Sequence, residues 1–279
     1  MGDRPALGAA ELAVIDAALT FAEGLADDLR PQLLERFGRQ EAELKGDGTL
    51  VTGADVFADE RIAAAVGERF PDHQVVSEEL DTTFRGGTWC WVIDPIDGTT
   101  NFVQGNHSWC VSIALAYHGQ PVLGLVDAPV LDVRYRAVAG RGAVAGSDAF
   151  ADSDRLHVRD VDWKDRAQVS NALVGLSSRV GRSEVLERPL KPRVLGCEAL
   201  HLTSVAEGSM VAAMHAGVRS WDVAAGAVLV QEAGGVLVDV SGPPFPMRPG
   251  EDLAAHPHRL VAAASERTAR EIIDGLRPG

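Results

Sequence analysis

The sequence predicts a mixed α/β protein, and three observations lead there. Apolar residues recur at helical spacing up to residue 69. From residue 74, β-branched and aromatic runs are separated by Gly, Pro and Asp. Beyond residue 168, strand-like and helix-like stretches alternate. The outline is an antiparallel-rich first half followed by an α/β second half. A chain of 279 residues, 46% hydrophobic and 24% charged, can bury a sizeable core; disorder and a fibrous architecture are excluded.

The elements follow in order. Leu12, Ile15, Leu19, Ala22, Leu29 and Leu33 fall near one face of a helix over 9–37, which Pro31 should kink or split. After a loop with Gly46, Gly48 and Gly53, a second amphipathic helix lies near 56–69 and ends at Pro71. Strands are expected at Gln74–Ser77, Trp89–Asp94, Trp109–Tyr117, Pro121–Asp127 and Val133–Val138. Further strands lie near 169–175, 193–195, 210–214, 236–240 and 259–263, with helices near 198–207, 221–233 and 265–276. The Gly- and Asp-rich stretch Gly140–Asp154 is the best internal boundary. It divides the chain into 1–146, helices plus antiparallel sheet, and 147–279, an α/β half, with one site between them.

Lys and Arg number 26 against 40 Asp and Glu, a formal charge of −14. Such a surface repels phosphate backbones, and no basic run offsets it, so nucleic acid is not an expected partner. Cys90, Cys110 and Cys197 form neither a disulfide framework nor a zinc-type CxxC pair. No apolar stretch approaches membrane-spanning length, and Asp3, Glu11 and Asp16 oppose a signal peptide. The expectation is a cytoplasmic protein without a membrane partner.

The chemistry concentrates in the run Trp91-Val-Ile-Asp94-Pro95-Ile96-Asp97-Gly98-Thr99. An apolar strand delivers Asp94, Pro95 fixes a turn, and Asp97 lies close beside Asp94. Neighbouring carboxylates repel unless a proton or cation neutralises them. With the Ile96 carbonyl they offer the hard oxygens that Mg²⁺ accepts. Gly98 and Thr99 open a short helix whose free N–H groups suit a phosphate. A bare Asp-x-x-Asp is ordinarily a capped turn; this longer run is far more specific. Glu78 and Glu79 follow a strand, where acids are often merely solvated. Thr52 and Asp55 precede a helix, where such a pair is ordinarily an N-cap. Asp222, in Ser220-Trp221-Asp222-Val-Ala-Ala-Gly226, alone would be a dipole-compensating acid. His201 reads as packing or a satisfied core polar group, and His256-Pro-His258 as a surface loop.

Taken together, these segments resemble the inositol monophosphatase family of metal-dependent, lithium-sensitive phosphatases. Asp-Pro-Ile-Asp-Gly-Thr at 94–99 and Trp-Asp-x-Ala-Ala-Gly at 221–226 match its two signature runs, within a likeness spanning roughly residues 45–235. The resemblance implies a layered αβαβα sandwich, a homodimer, and two or three Mg²⁺ per site. It implies that Glu78, Asp94 and the Ile96 carbonyl hold one Mg²⁺, and that Asp94, Asp97 and Asp222 hold a second. Glu78 touches a weak third through water. It further implies that Asp55 and Thr99 orient and help deprotonate the attacking water, with Glu78 beside them, and that the Gly98 and Thr99 amides bind phosphate. The substrate-facing set is Asp97, Gly98, Thr99, Gly196, Cys197, Glu198, His215 and Asp222.

The implied reaction is hydrolysis of a small polyol phosphate, foremost inositol monophosphate. Gly196-Cys197-Glu198 is similar instead to the Gly-Cys-Asp of some histidinol-phosphate phosphatases, and a bisphosphate (fructose bisphosphate or a phosphoadenosine) is a further option. A non-catalytic metal- or phosphate-binding regulator is the alternative of another class. Inositol-type members carry a Glu seven residues before the metal Asp, where this chain has His215. Glu198 either restores that acceptor, or Glu198 and His215 are unrelated surface positions of a loosely selective pocket.

Overall fold

The computed structural model describes residues 6–46, 48–146 and 154–279. Residues 147–153 of the expected boundary, and Asp3, lie outside the described residues. The described helices are α1 (Ala9–Arg36), α2 (Gly53–Arg69), α3 (Thr99–Gln104), α4 (Arg166–Asn171), α5 (Ser178–Ser183), α6 (Glu198–Ala206), α7 (Ser220–Glu232) and α8 (Glu266–Gly275). The first sheet has six strands in the order Gln74–Ser77, Trp89–Asp97, Cys110–Tyr117, Gln120–Ala128, Val133–Val138 and Gly142–Ala145. Its first pair is parallel and the rest antiparallel. The second sheet has five, ordered Lys191–Arg193, Leu173–Leu176, Ala212–Val218, His258–Ala263 and Val236–Asp239.

Side-chain alternation along the strands produces the layers, because successive residues point to opposite faces. Trp91 and Ile93 pack with Ile15 and Leu29 of α1 and Ile62 of α2, whereas Cys90 and Val92 share a core with Leu202 of α6 and Val228 of α7. Ala213, Leu260 and Ala262 of the second sheet close that middle layer from its other side. Met214 and Val261 face away from it, toward Ala269 and Ile272 of α8 and Val169 of α4. The result is the five-layered αβαβα arrangement. Small residues set the spacing at its centre. A Cβ on Gly124 would lie 2.4 Å from the Ala225 carbonyl oxygen, and one on Gly226 would lie 2.4 Å from Leu202 Cδ1. The Ala-Ala-Gly of the α7 run is therefore also a packing requirement.

Departures from expectation include the following. α1 runs unbroken through Pro31, although proline removes one helical donor. Pro31 is exposed, so the carbonyl it frees faces water, while Leu29 and Leu33 on either side are buried and hold the helix on the sheet. The strand expected over 169–175 is shortened by α4, which Asp165 starts by accepting the amides of Ala167 at 2.9 Å and Gln168 at 3.2 Å. α2 begins at Gly53, capped by Thr52, earlier than the apolar spacing suggests.

Candidate active site

The Asp94–Asp97 run is a bulge within a strand rather than a turn beyond one. Asp94 pairs with Ser112 and Asp97 with Cys110, so the register shifts between them. Pro95 has no N–H to give a ladder, and a bulge is where a sheet tolerates it. The bulge brings both acids and the Ile96 carbonyl into one short segment. Asp94 accepts the Ile96 N–H at 3.1 Å, and both acids are buried. Gly98 then turns the chain into α3 at φ 91°. A Cβ there would stand 2.9 Å from the Ser108 carbonyl oxygen, so only glycine makes the turn without displacing backbone.

Asp55 joins the cap of α2 to Thr99. Its Oδ2 accepts the Thr52 N–H at 2.8 Å as part of the α2 cap, while its Oδ1 faces Thr99 Oγ1 at 3.2 Å. Thr99 Oγ1 is also 3.2 Å from the Ile96 carbonyl oxygen, and its single proton serves one of these acceptors at a time.

Glu78 leaves the first sheet beside Asp94, and Asp222 enters from the first turn of α7. Ligand atoms of Glu78, Asp94 and Asp222 lie within 4.8 Å of one another. Asp222 Oδ2 accepts the Arg219 amide at 2.7 Å, which fixes its direction. Burial, then repulsion from Glu78 and the other acids, raises Asp94 and Asp222 well above the ordinary carboxylate range. Asp55 is raised too, chiefly by burial. The Lys45 ammonium reaches into this cluster, 2.8 Å from Glu78 and 2.5 Å from Glu79. Hard oxygens with uncompensated negative charge fit Mg²⁺, and the lysine answers part of the same demand.

Asp97 shares the cleft but directs its carboxylate elsewhere. Its oxygens accept the Glu198 and Ala199 amides at the start of α6, at 3.1 and 2.5 Å. Burial and the Glu198 charge raise its pKa to about 7. Cys197 and Cys110 stand beside it, buried, with sulfurs 3.6 Å apart.

Gly196, Cys197 and Glu198 lead into α6, and Asn101 of α3 ties this segment to the first sheet. Its Nδ2 donates to the carbonyls of Ser108 at 2.6 Å and Leu195 at 2.8 Å. Glu198 Oε2 lies 2.6 Å from His215 Nδ1 and 3.5 Å from His201 Nδ1. The Leu195 amide donates to His201 Nε2 at 3.1 Å, so the His201 proton sits on Nδ1, toward Glu198. Both histidines are 0% exposed, which overturns the reading of Glu198 and His215 as unrelated surface positions. Although burial opposes it, the His201 and His215 hydrogen bonds hold the Glu198 carboxyl down at about 2. His201 thus belongs to a polar cluster at the site.

Glu78, Asp94, Ile96, Asp97, Gly98, Thr99, Gly196, Glu198 and Asp222 line one cleft of about 420 Å³. Asp55, Cys197 and His215 stand behind this wall, in contact with its members. Nothing in the sequence marks Lys45 as a site residue; Asn101 follows two residues after Thr99 of the 94–99 run, and His201 is read there only as packing or a satisfied core polar group.

The profile of the family described as "Inositol monophosphatase family" matches residues 11–274. The chain belongs to the inositol monophosphatase family. It is a phosphoric monoester hydrolase of that family's αβαβα fold, so the non-catalytic alternative falls away. A fructose-1,6-bisphosphatase/inositol-1-monophosphatase of Aquifex aeolicus is 33% identical over 225 residues, 76% of this chain and 81% of that protein. A histidinol-phosphatase of Mycobacterium tuberculosis is 36% identical over 232 residues, covering 80% and 88%. Among solved structures, the Thermotoga maritima IMPase aligns with a TM-score of 0.75 at 27% identity, covering 92% of this chain and 97% of that one. Members act on small phosphorylated substrates and are generally Mg²⁺-dependent. Among the described residues, no helix is long and apolar enough to cross a membrane.

Proposed function

We propose that this phosphatase hydrolyses the monophosphate of a small polyol, foremost inositol monophosphate, by direct attack of water. The observation that carries the reading is the convergence of Glu78, Asp94 and Asp222 from three elements, with ligand atoms within 4.8 Å and mutual repulsion at Asp94 and Asp222 that a cation or proton would relieve. Glu78, Asp94 and the Ile96 carbonyl would hold one Mg²⁺, and Asp94 and Asp222 a second, with Glu78 touching a third; Asp97 would join the second through the lone pairs that its bonds to the α6 amides leave free. Mg²⁺ there supplies positive charge that eases deprotonation of a water and stabilises the leaving alkoxide. Thr99 donates to Asp55 and keeps a lone pair for the water's own hydrogen, so the pair orients the nucleophile and draws off its proton. The Gly98 and Thr99 amides hold phosphate oxygens. Gly196 and Cys197 set the wall from which Glu198 faces the leaving group.

Histidinol phosphate is the second reading, favoured by one observation: Glu198 is a permanent carboxylate braced by His201 and His215. Such a group accepts from sugar hydroxyls and equally from an ammonium. Phosphate release in Mg²⁺ from inositol 1-phosphate, histidinol phosphate, fructose 1,6-bisphosphate and phosphoadenosine phosphate tests the ranking. A kcat/KM highest for inositol 1-phosphate supports the first reading; preference for histidinol phosphate replaces it with the second. We further expect a cytoplasmic homodimer, to be read by cell fractionation and by light scattering on the eluting protein.

A further inference from the structure

Asp59 lies one helical turn beyond Asp55 on α2, and the hydrolytic scheme does not use it. It is 0% exposed, an expensive place for a carboxylate. Its Oδ2 accepts the backbone N–H of Glu79 at 3.0 Å. The Ser77 hydroxyl, two residues before Glu79, accepts the Leu80 N–H at 3.4 Å. Oδ1 has no hydrogen-bond partner. The segment so anchored carries Glu78, whose own amide donates to the Ile93 carbonyl at 3.3 Å, next to Asp94. Glu78 is thus held by the sheet on one side and by α2 on the other. Without the second anchor, repulsion from Asp94 and Asp222 would swing Glu78 outward.

We propose that Asp59 is a positioning residue for the metal site, holding the Glu79 amide so that the Glu78 carboxylate stands beside Asp94 and Asp222. One helix then sets both parts of the chemistry: Asp55 aligns Thr99, and Asp59 aligns Glu78. The inference rests on Glu78 being a metal ligand, and its test separates the two claims.

Mg²⁺ binding is measured directly by calorimetry in phosphate-free buffer for wild type, Asp59→Ala, Asp59→Asn and Glu78→Gln. The Mg²⁺ concentration giving half-maximal phosphate release is measured alongside. Alanine suits a helix, and circular dichroism verifies that each variant is folded. Asp59→Ala should bind Mg²⁺ about 10–100-fold more weakly, the usual effect of losing a group that orients a ligand. Asp59→Asn keeps an acceptor for the Glu79 amide and should stay close to wild type. Wild-type binding by Asp59→Ala while Glu78→Gln is weakened would overturn the inference and leave the metal site standing. Asp59→Asn as weak as Asp59→Ala would also overturn it, since the charge and not the hydrogen bond would then matter. Unchanged binding by Glu78→Gln would instead remove the metal-site reading itself.

Discussion

Two carboxylate clusters face the same cleft and solve opposite problems. Glu78, Asp94 and Asp222 are gathered with the Lys45 ammonium on Glu78, and burial with mutual repulsion lifts Asp94 and Asp222 well above the ordinary range. Glu198 is as deeply set, yet His215 at 2.6 Å and His201 at 3.5 Å stabilise its charge and hold it at about 2. The first arrangement is unfavourable by itself and improves when a cation arrives. In the second, the two imidazoles favour the carboxylate form, so its negative charge stands ready to select what binds.

The sharpest break of this contrast is Asp94→Asn. It should lower Mg²⁺-dependent phosphate release by more than the 10–100-fold typical of groups that only orient ligands. Chelation with EDTA should abolish turnover, and a near-wild-type rate in either case would end the metal mechanism. Next in size, Glu198→Ala should raise KM for the preferred phosphate about tenfold or more, the scale of a charge-assisted hydrogen bond. Hydrolysis of p-nitrophenyl phosphate, which lacks a polar leaving group, should fall far less. Equal losses on both substrates would show that the braced carboxylate plays no part in selection. A smaller effect is expected of Li⁺, which should inhibit at millimolar concentrations in a manner that depends on Mg²⁺. Indifference to Li⁺ would count against cation competition at Asp94, Asp97 and Asp222.

The smallest effect sharpens the contrast through stability. Asp97 has an ordinary value of 3.8 and a folded value of about 7. Between these, the folded protein keeps a proton that the unfolded chain has released, so stability of the metal-free protein falls as pH rises through the window. Lowering the pH from 8 to 6 without metal should therefore raise Tm, by on the order of a few degrees. Asp97→Asn should flatten that trend, measured by differential scanning calorimetry in EDTA. An Asp97→Asn slope equal to wild type would mean that Asp97 is not the titrating group.

Much of this was legible in the order of residues. Gln74–Ser77 and Val133–Val138 are strands with the bounds their composition suggests, and α6, α7 and α8 lie within a residue or so of expectation. Local periodicity and breakers decide such elements. The Asp94–Thr99 run was readable because its whole chemistry lies within six consecutive residues. Pro31 misled because the cost of a proline in a helix depends on which face it occupies, and that is set by packing against the sheet.

By itself, the sequence determined a mixed α/β class and, through a resemblance carried by two short, ordered motifs, the family, its αβαβα arrangement and most of the acids that meet in the cleft. Tertiary structure alone decided that Glu198 and His215, 17 residues apart, are partners. It also decided that His201 joins them, that Lys45 reaches Glu78, and that Asp59 holds the Glu79 amide across 20 residues. Whether a buried acid is compensated is a matter of distances between side chains on different elements. Distances of that kind arise only when helices and sheets pack, and no spacing along the chain encodes them.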